Sequence, residues 1–175
     1  MRTPRLVNIT EQFVFWDTRI CLSLNRINNR RFIQRFFGAV SRLGDGVLWY
    51  GLMIAMALFG KWAPALHMFA AGVVGVLLYK ALKGVTSRPR PCTIRADIHR
   101  TTEPLDQFSF PSGHTLHAVS FTLIAINYFP MLAWILIPFA TLVAMSRVIL
   151  GLHYPSDVAA GALLGYVTAG ALLMF

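Results

Sequence analysis

Acidic residues are scarce in this chain: seven Asp and Glu stand against sixteen Lys and Arg in 175 residues. Charged residues of either sign make up only 13%, where a soluble domain carries about a quarter. With 56% of residues hydrophobic, that poverty excludes an ordinary soluble domain and points to an integral membrane protein. Cysteine is nearly absent. Cys21 and Cys92 are too few and too far apart to define a disulfide framework. Neither paired carboxylates nor a His-x-x-x-His pattern occurs, so no metal or other cofactor is expected. An uninterrupted apolar stretch is missing at the N-terminus, where Glu11, Asp17 and Arg19 break any signal-peptide core. The net charge of +9 comes almost entirely from Arg; in this aliphatic background it fits lipid head groups or phosphate ligands rather than nucleic acid.

Five apolar segments approach bilayer-crossing length, at about 45–62, 64–83, 113–129, 131–150 and 156–175. Lys61 and Trp62 suit an interfacial anchor, Pro138 a kink, and the Gly- and Ala-rich last segment close helix packing. The expected architecture is all-α: one membrane helix bundle over 1–175, with about five transmembrane helices. A basic segment, 1–42, precedes them. In it Phe13, Trp16, Ile20, Leu24 and Ile27 recur at helical spacing, and two readings fit. One is an amphipathic helix lying in the membrane surface; the other is a helix packed on the bundle by its apolar side. Gly44-Asp45-Gly46 reads as a turn with Asp45 as an N-cap. One long polar loop, 84–110, separates the second and third spans.

Three polar segments interrupt the apolar pattern, and five spans put all of them on one side of the membrane. Lys83, Arg88 and Arg90 supply cations at the start of the loop, and Arg147 adds one inside a span. Arg offers phosphate two parallel N–H bonds, and an ionisable group within a span is functional by default. Ser112 and Gly113 stand where a helix begins, which makes an anion site or a plain capping turn. His153 lies four residues before Asp157, a carboxylate able to fix its tautomer and leave the other nitrogen free to attack phosphorus. His114 is the candidate acid for the leaving oxygen. Ligation of a metal by His153, Asp157 and His114 competes with this reading, but the crowd of fixed cations opposes it. His117, one turn beyond His114, reads as a packing residue behind the site or, alternatively, as one that tunes the site or lines the lipid entrance; His67 and Lys80 receive no role.

Lys83-x6-Arg90-Pro91, Pro111-Ser112-Gly113-His114 and Ser146-Arg147-x5-His153-x3-Asp157 resemble the three motifs of the type 2 phosphatidic acid phosphatase family, with no motif position departing. The resemblance implies a helical membrane phosphatase that needs no metal and works through a phosphohistidine. By analogy His153 is the nucleophile, Asp157 orients it, and His114 protonates the leaving group and then activates water. Lys83, Arg90, Ser112, Gly113 and Arg147 hold the phosphoryl oxygens; Arg88 stands outside the motif. The implied partner is a phosphorylated lipid within a bed of membrane lipids, with undecaprenyl diphosphate ranked ahead of phosphatidylglycerophosphate, phosphatidic acid and lipid A phosphates. Phosphotransfer to another lipid and a non-catalytic lipid-binding role are the alternatives. The chain's brevity suits a bacterial inner-membrane protein. Eight Arg in residues 1–42 put the active side in the cytoplasm by the positive-inside rule, whereas the resemblance favours the periplasm, which is the expectation adopted.

Overall fold

The computed structural model describes residues 9–104 and 106–175, and these form eight α-helices. The first eight residues, with Arg2 and Arg5 of the basic segment, lie outside the described residues, as does Leu105 of the loop. Helix α1 (Ile9–Asn25) leads through a tight turn into α2 (Arg31–Arg42). Of the two readings of the first helix, α1 departs from the one that packs its apolar side on the bundle. Phe13 and Trp16 are 57% and 58% exposed, with Ile20, Leu24 and Ile27 also outward, while Asp17, Cys21, Asn25 and Asn28 face the bundle. The reason is what lies beneath: loop backbone rather than a greasy core. Asn25 Nδ2 donates to the carbonyls of His99 and Ile149 at 2.9 and 2.8 Å, and Asn28 Nδ2 donates to His99 at 2.9 Å. Buried carbonyls need such donors. The outward apolar stripe is the face a membrane surface would cover.

The turn Leu43–Val47 joins α2 to α3 (Leu48–Leu58). Gly46 adopts φ +126°, which only glycine takes without strain. Asp45 is not an N-cap here: no side-chain cap bond forms at α3, and the carboxylate turns to His114 instead. The first expected span is also shortened. The chain reverses at Gly60 (φ +71°), so Lys61 and Trp62 belong to the start of α4 (Trp62–Thr86). A short helix α5 (Pro91–Ile94) sits in the loop, followed by α6 (Gly113–Tyr128), α7 (Ala133–Ile149, with Pro138 inside) and α8 (Pro155–Leu172).

Two helical stretches are long and apolar enough to cross a bilayer unaided, Trp62–Thr86 and Pro130–Ile149. The other three expected spans are helical at 11, 16 and 18 residues, below the roughly 20 that a crossing needs. Helix α6 sits at the centre, packed against α4, α7 and α8. Its contact with α8 depends on Gly161 and Gly165, where an added Cβ would collide with the carbonyl oxygens of Ser112 and Leu116. Small residues spaced by four let two backbones meet in this way. Trp49, Met68, Phe121, Ile124, Leu136 and Val143 fill the core below the polar end.

Candidate active site

The last turn of α7 curls back on itself. The amides of Leu152 and His153 both donate to the Arg147 carbonyl, at 3.0 and 3.1 Å, and Gly151 takes φ +74° to allow it. His153 is thereby held one turn beyond Arg147. Pro155 then starts α8 with its fixed φ. Asp157 Oδ2 accepts the Tyr154 N–H at 2.8 Å, and the Asp157 carbonyl accepts the Ser112 N–H at 3.0 Å. That last bond stitches the start of α8 to the start of α6. Two sequence segments 45 residues apart become one surface.

A pocket of about 180 Å³ opens there, lined by Lys83, Arg90, Asp106, Gly113, His114, Arg147 and His153. Its other wall is aromatic and aliphatic, from Trp49, Tyr50, Val76 and Phe121. Ser112 is placed differently. Its hydroxyl caps α6, 3.4 Å from the Thr115 amide and 2.9 Å from the Thr115 hydroxyl, and it does not line the pocket. Asp157 is wholly buried behind His153, with Oδ2 3.6 Å from Nδ1.

Arg90 organises the cations. Its Nη1 donates to the Leu152 carbonyl at 2.7 Å and stands 3.1 Å from His153 Nε2. Guanidinium nitrogens only donate, so Nε2 is the acceptor and the ring proton sits on Nδ1, facing Asp157. Burial, reinforced by the charges of Arg147, Arg90 and Lys83, holds His153 well below the ordinary histidine range. The ring is therefore neutral, with its Nε2 lone pair directed at the cations. Arg147, 3% exposed, donates to the Ser41 hydroxyl, and its Nε has no partner among the described residues.

Three residues of the site carried no legible signal as site members. Asp106 binds Lys83 Nζ with both oxygens, at 2.7 and 2.6 Å, and Arg90 Nη2 at 2.7 Å. Burial alone would raise its pKa, but the hydrogen bond and charge of Lys83 and the charge of Arg90 outweigh that and keep it below the ordinary carboxylate range. Asp45 Oδ1 lies 3.2 Å from His114 Nε2. Asp17, from α1, bonds Arg88 at 2.7 Å. Only the Gly-Asp-Gly setting of Asp45 marked any of them in the sequence. His117 also lines the pocket, stacked on Phe121 (centroids 5.3 Å apart); His67 pairs with Tyr128 at the far end, and Lys80 is exposed. Cys21 and Cys92 are free thiols in one small cluster, and burial, followed by the charges of Asp17 and Asp157, pushes Cys21 up to about 12. Among the described residues no group of three His, Cys, Asp or Glu side chains is placed to hold a metal ion.

Fold and site together define a class: an all-helical protein of membrane composition whose polar end holds a cation-lined pocket with three histidines, His114, His117 and His153. The family model described as the PAP2 superfamily matches residues 46–175, and the chain belongs to that superfamily. It is similar to the undecaprenyl-diphosphatase BcrC of Bacillus subtilis (strain 168), 29% identical over 110 residues, covering 61% of this chain and 56% of that one. It is also similar to the lipid A 1-phosphatase of Rhizobium etli, 34% identical over 115 residues, covering 63% and 49%. Among solved structures, the transmembrane PAP2 type phosphatidylglycerolphosphate phosphatase of Bacillus subtilis superposes with a TM-score of 0.80 at 25% identity, covering 97% of this chain and 88% of that one. The matches thus span about half the length of these curated relatives.

Proposed function

We propose that this protein is a membrane lipid phosphatase that cleaves a phosphate ester or anhydride through a phosphohistidine at His153. One observation carries the reading: a neutral, buried His153 presents Nε2 to a pocket ringed by Lys83, Arg90 and Arg147, with Asp157 behind Nδ1. The Nε2 lone pair attacks phosphorus as the bond to the leaving oxygen breaks, and His114 donates a proton to that oxygen. Asp157 offsets the positive charge that forms on the imidazole. Water then attacks the phosphohistidine, giving its proton to His114, and inorganic phosphate leaves. Lys83, Arg90, Arg147 and the amide at Gly113 hold the phosphoryl oxygens where negative charge accumulates. Ser112 contributes by fixing the start of α6 rather than by direct contact.

In this reading α4 and α7 cross the membrane unaided, α3, α6 and α8 complete their crossings with the residues that flank them, and α1 lies at the surface with its apolar stripe in lipid. The names of the relatives favour undecaprenyl diphosphate as substrate, with lipid A phosphate and phosphatidylglycerophosphate next. We place the protein in the bacterial inner membrane with the pocket toward the periplasm. The test is phosphate release by protein in detergent, with EDTA present, across those lipids. Release is expected from wild type, with His153→Ala at least about 1,000-fold slower. Release that EDTA abolishes, or that survives His153→Ala, overturns the mechanism. Release that requires an added acceptor lipid replaces hydrolysis with phosphotransfer.

A further inference from the structure

The family match begins at residue 46, so α1 lies outside it. Yet α1 delivers a carboxylate to the back of the site. The Asp17 side chain is 4% exposed. Its Oδ1 accepts the Ser156 N–H at 3.0 Å, and its Oδ2 accepts the Ser156 hydroxyl and, at 2.7 Å, Arg88 Nη2. The other arm of Arg88 donates to Asp157 Oδ1 at 2.6 Å and Ser156 Oγ at 2.7 Å, with the guanidinium 4.1 Å above the Tyr154 ring. Asp157 in turn faces His153. The result is a bonded run from Asp17 through Arg88 to Asp157, whose Oδ2 stands 3.6 Å from His153 Nδ1, a buried nitrogen with no hydrogen-bond partner among the described residues.

Tethering α1 does not require this arrangement. Burying three charges is costly, and apolar contacts hold helices more cheaply. A second carboxylate does change chemistry. With Arg88 alone, Asp157 would be strongly neutralised; sharing Arg88 with Asp17 leaves Asp157 more of its charge to steady the histidine. We propose that Asp17 is a positioning residue of the phosphoryl-transfer site, acting through Arg88 and Asp157 to orient His153 and support its positive charge in the transition state. This rests on His153 being the nucleophile.

Other groups also face His153: Asp157 from α8, Arg147 from α7, Lys83 from α4, His114 from α6, and Arg90 and Asp106 from the loop. They are unchanged in Asp17→Asn, which removes one negative charge and keeps the side chain's shape. The experiment measures, for the full chain in one detergent, kcat on a lipid diphosphate, inhibition by inorganic phosphate, and the pH profile of kcat/KM. The expected result is a kcat lower by roughly 10- to 100-fold, the cost of losing an outer-shell partner. Phosphate inhibition should be unchanged, and the acid limb should move to lower pH. Should Asp17→Asn fail to fold, Ser156→Ala removes only the hydroxyl between Asp17 and Arg88, and a smaller kcat loss with intact phosphate inhibition is expected. Wild-type kcat with an unmoved acid limb overturns the inference. So does parallel loss of kcat and phosphate inhibition, the mark of a tether alone, and so does wild-type kcat in Ser156→Ala. An inactive wild type, or an active His153→Ala, refutes the nucleophile assignment instead.

Discussion

In the proposed mechanism Arg90, which shares its guanidinium between His153 and Asp106, must loosen both contacts when a phosphoryl group arrives. Asp106 holds Lys83 and Arg90 with the same geometry a phosphate would use. On the proposed reading it competes with substrate for two of the three cations. Asp106→Asn should tighten inhibition by inorganic phosphate about tenfold, equivalent to roughly 1.4 kcal/mol of charge-assisted bonding no longer given up. Weaker inhibition in that variant would mean that Asp106 shapes the cation site rather than occupying it. The state of His153 yields a second expectation. Its proton affinity is depressed, so the neutral nucleophile persists as pH falls and is lost only on passing through the lowered pKa. The acid limb of kcat/KM should lie below pH about 6.5, the ordinary histidine value; a limb above it in a pH titration would contradict the neutral-ring geometry.

Helices α6 and α8 form the frame that brings the histidine segments together. Gly161 permits the Ser112 carbonyl to touch α8, so Gly161→Val should separate the helices at the site. About 1–3 kcal/mol of overpacking strain is expected, with activity lost well before the protein unfolds; parallel activity and melting curves would show it. The Gly- and Ala-rich composition of 156–175 announced this close contact, and the periodic apolar runs announced most of the helices. What periodicity could not reveal was direction. The spacing of Phe13, Trp16, Ile20 and Leu24 defined a stripe, but only the buried carbonyls of His99 and Ile149 explain why the opposite, polar face turns inward. Similarly, the break expected near Lys61 stands beside the reversal at Gly60, but the apolar run at 45–62 did not show that α3 itself is only 48–58.

Across the whole chain, chemistry that sits in contiguous spaced motifs was legible, and chemistry assembled from single distant residues was not. Lys83, Arg90, Gly113, His114, Arg147 and His153 reach one pocket from three stretches of sequence. Asp45 and Asp106 join them in the pocket and Asp17 stands behind it, and beyond the Gly-Asp-Gly setting of Asp45 their local sequence carries no pattern, since a lone carboxylate declares nothing until its partner is beside it. Their arrival also accounts for much of the chain's small acidic complement: three of seven acids, with Asp157 a fourth, are spent on the site. The most direct measurement is therefore on the nucleophile itself. Protein turning over a lipid diphosphate labelled at its terminal phosphate is quenched in alkali, where phosphohistidine survives, and mapped by mass spectrometry. A single phosphoryl group on His153, absent from His153→Ala, is expected; continued turnover with no label there, or with label on another residue, contradicts the assignment.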